Sequence, residues 1–201
     1  MHIICSDLEG VFVPEIWVNV AIQTGISELK LTTRDICDYD VLMQRRISIL
    51  NQHGLKLKDI QEVIAELHPL PGALEFLDWL RGQVQVIIVS DTFTEFAGPL
   101  MKQLGYPTIF CHNLTTVSSG MITGYNLRQK DSKRMVAEAL QGLNYKVIGI
   151  GDSYNDISML RKADTGVLFN PPQNVLDEHG DLPVVRSYEE LKKLIWRIIE
   201  T

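Results

Sequence analysis

No stretch of this 201-residue sequence stays apolar for the roughly 18 residues that a membrane-spanning helix needs. Asp7 and Glu9 stand where the apolar stretch of a secretory leader would run, so the sequence predicts a cytoplasmic protein with no membrane partner. Long basic runs are missing as well. Lys and Arg number 19 against 25 Asp and Glu, a net charge of -6, which makes nucleic acid an unexpected partner. Cysteine is scarce: Cys5, Cys37 and Cys111 are far apart, odd in number and without a CxxC pair. That excludes a disulfide framework and a zinc site, and buried reduced thiols are expected instead. Internal repeats and low-complexity segments are absent too.

What is present is enough apolar material for a sizeable core, at 45% hydrophobic and 22% charged residues. Short β-type runs recur at 2–6, 84–90, 108–111, 146–151 and 165–169, separated in most cases by helical patterns such as those at 72–82 and 132–143. The runs "VIIV" and "VIGI" are continuous and do not alternate, as in strands buried on both faces of a parallel sheet. The pattern predicts an α/β fold with a doubly wound, Rossmann-like sheet. One block breaks the rhythm. From Glu15 to about Leu67 only amphipathic helical segments occur, predicting a helical-bundle cap (15–69) inserted after the first strand of a core made of 1–14 and 70–201. A smaller interruption at 113–129 reads as a hairpin around Ser119-Gly120. Trp17, Trp79 and Trp196 lie in helical patterns and are expected in the core or an interface.

Four stretches carry chemistry, three of them directly after a buried strand, where ligand sites form in open α/β sheets. "DLEGV" puts Asp7 and Glu9 on one side of an extended backbone, where their charges repel. In "VIIVSDTF", Ser90 and Asp91 are expected to open a helix, where a hydroxyl and backbone N–H groups can hold an anion. "RQKDSKRMV" carries Lys133, with Lys130 and Arg128 close by. "VIGIGDSYNDISML" sets Asp152 and Asp156 around a turn with Asn155 between them. Singly, each is accounted for by a helix cap or a solvated loop. Together, carboxylates at this density call for a hard cation, and magnesium suits oxygen ligands and phosphate-bearing substrates.

With all four stretches in order, the chain resembles the haloacid dehalogenase superfamily of phosphotransferases over essentially its whole length. Within it, the chain is most similar to the phosphoserine phosphatases, whose helical cap also lies between the first and second motifs. "SDLEGVFVPEIW" and "GDSYNDISML" resemble the bacterial branch that is both phosphoserine phosphatase and homoserine phosphotransferase. The resemblance implies Asp7 as nucleophile, forming an aspartyl-phosphate, and Glu9 as general acid and then base. It implies that Ser90 binds the phosphoryl oxygens and Lys133 neutralises their charge. Mg2+ would be held by Asp7, Asp152 and the backbone carbonyl of Glu9, with Asp156 in support. Asp91 and Asn155 are assigned to substrate binding with Ser90, and Glu15 and Arg46 of the cap to the ammonium and carboxylate of a small phosphorylated amino acid. Most phosphoserine phosphatases have Asp where this chain has Glu9, and the longer acid fits a branch in which homoserine also accepts the phosphoryl group. Another small phosphomonoester as substrate, a non-catalytic phosphate-binding regulatory module, and a homodimer remain open at this point.

Overall fold

The computed structural model describes residues 1–32, 35–36 and 38–200. The chain begins with β1 (His2–Ser6), followed by α1 (Ile16–Thr24), α2 (Tyr39–Gln52), α3 (Leu57–Ala65) and α4 (Ala73–Gln83). Then come β2 (Gln85–Phe93), α5 (Thr94–Gln103), β3 (Ile109–Thr116), β4 (Ile122–Asn126) and α6 (Ser132–Gly142). The remainder is β5 (Lys146–Gly151), α7 (Ile157–Lys162), β6 (Thr165–Phe169), α8 (Gln173–His179), β7 (Val184–Val185) and α9 (Tyr188–Ile199).

The strands form one sheet in the order β4-β3-β2-β1-β5-β6-β7. Pairing is parallel except for the β3–β4 hairpin, so the fold is the doubly wound α/β sheet that the apolar runs predict. Its strands are apolar on both faces because both faces are covered. Ile4, Ile88 and Ile148 pack in one hydrophobic cluster with Leu77, Leu100 and Leu191, while their neighbours Cys5, Val89 and Val147 join Val136, Met159 and Val175 in another. Winding proceeds from β1 outward to β4, then returns for β5 to β7 on the other side. The carboxyl ends of β1, β2 and β5 therefore meet at the switch in strand order, where an open α/β sheet forms its crevice.

Between β1 and α4 stand α1, α2 and α3, with a 3-10 turn at Ser27–Lys30. Their apolar residues Val20, Met43, Leu50 and Ile60 belong to the same cluster as Phe12, Phe76 and Phe96, so these helices dock on the rest through apolar contact. The hairpin lies where it is expected and braces them. Leu57 donates its N–H to the Gly120 carbonyl at 2.9 Å, and Asn51 Nδ2 donates to the Ile122 carbonyl at 3.2 Å.

Three expectations shift. Within the block expected to be helical from Glu15 to about Leu67, the second helix begins only at Tyr39, where the Asp38 carboxylate accepts from the N–H groups of Asp40 and Val41; Thr33, Arg34 and Cys37 of that block lie outside the described residues. Ser90 and Asp91 do not open a helix. β2 continues to Phe93 because, past an irregularity in the pairing, Phe93 again sits opposite His112 of β3. Of the tryptophans, Trp17 is buried and Trp79 stacks on Phe76, but Trp196 is exposed on α9. Cys5 is a buried free thiol and Cys111 a half-buried one. Among the described residues no helix is long and apolar enough to cross a membrane.

Candidate active site

The first motif leaves the sheet at Asp7, whose N–H still donates to Ile150 of β5 at 2.9 Å. The backbone then turns at Gly10 with φ +74°, a left-handed conformation that favours glycine. A Cβ on Gly10 would stand 2.4 Å from Asp152 Cγ, so the glycine makes room for a carboxylate arriving from the end of β5. Gly151 serves Asp156 in the same manner, with 2.3 Å left between an added Cβ and the Asp156 carboxyl carbon. The "EG" and "GD" pairs of the sequence are thus steric permissions for carboxylates to crowd.

Those carboxylates gather around one buried ammonium. Lys133, 2% exposed in the first turn of α6, points Nζ at Asp156 Oδ1 (2.7 Å), Asp7 Oδ2 (2.9 Å) and Asp91 Oδ2 (3.8 Å). Burial works against its charge, but Asp156, Asp7 and Asp91 outweigh burial and hold the ammonium well above the ordinary lysine range. The neighbouring cations stay outside: Lys130 is exposed, and the Arg128 guanidinium lies over the Phe110 ring. Asp156 is fully buried, and its Oδ2 accepts the N–H groups of Asp152 (3.0 Å) and Ser153 (3.1 Å). Both its oxygens are engaged by the protein, which makes it a brace for the turn.

Asp7 Oδ1 accepts the Leu8 N–H at 2.7 Å. Burial first, then the charges of Asp156 and Asp152, push its pKa well above the usual carboxylate range against the pull of Lys133. One oxygen from each of Asp7, Asp152 and Asp156 can be chosen so that all three lie within 4.8 Å of one another. A set of buried oxygen donors whose repulsion a single lysine cannot cancel fits a hard divalent cation, which would bring Asp7 back to its ionised form.

Glu9 turns away toward α1, its Oε2 accepting the Ile16 N–H at 2.8 Å. Burial and then the Glu15 carboxylate push its pKa up to about 8, so near neutrality it carries a proton. Ser90, 2% exposed, accepts the Thr92 N–H on Oγ at 3.2 Å. Beside it the Asp91 carboxylate receives Asn155 Nδ2 at 2.8 Å and faces His112 Nε2 at 3.5 Å. Although burial raises its pKa, Lys133, His112 and Asn155 together hold it well below the usual range.

These residues line a cavity of about 170 Å³ shared by the strand ends and the inserted helices. Asp7, Glu9, Ser90, Asp91 and Asn155 come from one side, Glu15, Trp17, Tyr39 and Arg46 from the other. The volume is below the roughly 300 Å³ at which drug-sized pockets begin, so the ligand is small. Arg46 is the cation of the upper wall, 7% exposed, whereas Arg45 faces solvent. Its guanidinium lies 4.6 Å over the Trp17 ring and donates from Nη2 to the Leu31 carbonyl at 2.8 Å. Among the described residues its Nε is buried without a partner. Burial, opposed by Glu9, lowers its pKa to about 10, which still leaves it charged.

The structure thus brings Asp7, Glu9, Glu15, Arg46, Ser90, Asp91 and Asn155 to one cavity, with Lys133, Asp152 and Asp156 packed around Asp7, and leaves Lys130 and Arg128 outside. Sequence reasoning missed Tyr39, whose hydroxyl donates to the Asp91 carbonyl at 3.1 Å, and His112. Burial of His112 and Leu114 at alternate positions of β3 is the signal that could have found the second.

A doubly wound sheet with its carboxylates gathered at the strand-order switch is the architecture of a hydrolase of the α/β class. The chain belongs to the haloacid dehalogenase-like hydrolases, whose family model matches residues 18–164. It is 58% identical to phosphoserine phosphatase ThrH of Pseudomonas aeruginosa over 96% of this chain and 94% of that one. To a phosphoserine phosphatase of Pseudomonas syringae pv. tomato it is 56% identical, over 96% and 81% of the two chains. Among solved structures, a phospho-aspartyl intermediate analogue of phosphoserine phosphatase superposes with a TM-score of 0.79 at 22% identity, covering 96% of this chain and 98% of that one. A substrate-bound phosphoserine phosphatase gives 0.76 at 21%, covering 96% and 97%. At such identities these two establish likeness of fold.

Proposed function

We propose that the protein is a magnesium-dependent phosphoserine phosphatase that works through an aspartyl-phosphate on Asp7 and also passes the phosphoryl group to homoserine. The observation that carries this reading is the pairing of two recognition ends in one small cavity. At the lower end Asp7 and Ser90 line the cavity, with Lys133 held against Asp7; at the upper end is a buried, charged Arg46 whose Nε has no partner among the described residues. A phosphate ester of a small amino acid has an anion for each. High identity to two phosphoserine phosphatases over nearly the whole chain supports the same substrate.

In this reading residues 15–69 form the cap and 1–14 with 70–201 the core, in keeping with a cavity lined from both. Asp7 and Asp152, with the Glu9 carbonyl, hold Mg2+, which supplies charge neutralisation at the phosphoryl oxygens. Lys133 adds a second positive charge and holds Asp7 Oδ2 at 2.9 Å. The Ser90 hydroxyl binds a phosphoryl oxygen. Asp7 attacks phosphorus as the serine oxygen leaves, and protonated Glu9 supplies the proton that oxygen needs. Glu9 then takes a proton from the incoming water or alcohol as its oxygen attacks phosphorus, and the bond to Asp7 breaks, releasing phosphate or a new phosphoester and returning the Asp7 carboxylate. The Glu15 carboxylate and the Arg46 guanidinium orient the ammonium and carboxylate of the substrate. Free Cys5 and Cys111 suit a reducing compartment, which supports cytoplasmic work.

The test is a steady-state assay with magnesium and phosphoserine, with and without homoserine. Inorganic phosphate together with phosphohomoserine supports the whole reading. Phosphate alone removes the transferase activity, and no turnover of phosphoserine removes the substrate.

A further inference from the structure

One buried histidine takes part in none of these steps. His112 is 2% exposed on β3, and its ring packs against Tyr39 and Phe93 at centroid distances of 6.5 and 6.4 Å. Its Nδ1 accepts the backbone N–H of Arg128 at 3.1 Å. A ring nitrogen that accepts a hydrogen bond carries no proton, so the neutral ring bears its proton on Nε2. That nitrogen faces Asp91 Oδ1 at 3.5 Å. The other oxygen of Asp91 receives Asn155 Nδ2 at 2.8 Å and stands 3.8 Å from Lys133 Nζ. A carboxylate next to the phosphate end of the cavity repels a phosphoryl group, and its use there is to aim the donors that bind to it.

We propose that His112 is a positioning residue. It fixes the rotation of Asp91 from the side away from the cavity, so that Asn155 and Lys133 meet the phosphoryl group in one arrangement. The proposal rests on the phosphoryl-transfer reading and adds to it a residue that touches no substrate.

Asparagine and glutamine divide the two ring nitrogens between them. His112→Asn keeps an acceptor for the Arg128 N–H and loses the donor toward Asp91. His112→Gln keeps a donor near Nε2 and loses the acceptor. The measurement is kcat and KM on phosphoserine and on p-nitrophenyl phosphate, with Tm for each variant. His112→Asn is expected to lower kcat about 10- to 100-fold on both esters, with the phosphoserine KM changed by less than about threefold. His112→Gln should keep kcat within about threefold of the unsubstituted enzyme, even with a lowered Tm. Equal losses in the two variants, a greater loss in His112→Gln, or normal kcat in His112→Asn would overturn the proposal, since the tie to Arg128 would then be what matters. The unsubstituted protein separates this from the parent reading. Activity on the aryl ester alone corrects the substrate and leaves the comparison of variants readable; activity on neither ester ends both.

Discussion

Three carboxylates, Asp156, Asp7 and Asp91, stand within 3.8 Å of the Lys133 ammonium, and Asp152 adds a fourth acid to the same enclosure. Burial first, and then one ammonium against so much negative charge, make Asp7 costly to keep ionised, as the upward push on its pKa shows. A neutral amide at that place is therefore tolerated by the fold and fatal to covalent chemistry. Asp7→Asn is expected to lower turnover by at least about 10⁴-fold while leaving the Tm equal to or above that of the unsubstituted protein. Appreciable residual turnover would remove the aspartyl-phosphate. Arg46 works at the other end of the cavity and should separate substrates. Arg46→Ala removes a charged hydrogen-bonding partner, so the phosphoserine KM is expected to rise about 10- to 100-fold while the KM of a small aryl phosphate stays put. Equal losses on both esters would remove Arg46 from recognition of the amino-acid moiety.

Helix α1 shows how an element and a site residue can depend on each other. Its N-cap residue, Glu15, makes no side-chain cap, and the acceptor comes from outside the helix as Glu9 Oε2 on the Ile16 N–H. The first motif thereby holds the start of the inserted helices. An aspartate is one methylene shorter and falls short of that N–H, which gives the Glu at position 9 a physical reason. Glu9→Asp is expected to lower unfolding stability by about 1 kcal/mol, the usual worth of a helix N-terminal acceptor. Urea unfolding at fixed magnesium checks it, and an unchanged midpoint would show that the contact contributes nothing. The same contact marks where sequence reading stops. The strands were legible because buried parallel strands need continuous apolar runs, and "VIGI" became β5. The placement of Asp7, Asp152 and Lys133 was legible because the first two follow a strand and the third opens a helix at the sheet's carboxyl edge, whereas Ser90 and Asp91 lie inside β2. The helix start at Ser90 was misplaced, since strand pairing across an irregularity leaves no mark on local periodicity. His112 and Tyr39 were missed because their partners, Asp91 and Arg128, lie far along the chain.

At the scale of the whole molecule, four chain segments have to fold together before the carboxylates are neighbours. Asp7 follows β1, Asp91 lies late in β2, Asp152 follows β5, and Lys133 starts α6. In the unfolded chain they are tens of residues apart and bind no cation as a set. A cation that occupies the assembled site therefore binds the native state alone, and linkage converts that occupancy into stability. At a free concentration about 100 times Kd the gain is about 2.7 kcal/mol. For a chain of this length that corresponds to a rise in Tm of about 5 to 10 °C. Mg2+ is accordingly expected to raise the Tm in a concentration-dependent way, and a chelator to return it to the metal-free value. Asp152→Asn should abolish the shift, because its carboxylate is the acid that Gly10 makes room for beside Asp7. Asp156→Asn acts differently. Both Asp156 oxygens bind protein donors, so that variant should lower the metal-free Tm as well as the response to Mg2+. Differential scanning calorimetry of the three proteins with magnesium and with chelator distinguishes the roles. A full magnesium shift in Asp152→Asn would place the cation somewhere other than between Asp7 and Asp152, and the carboxylate cluster would then need another account of how its charge is borne.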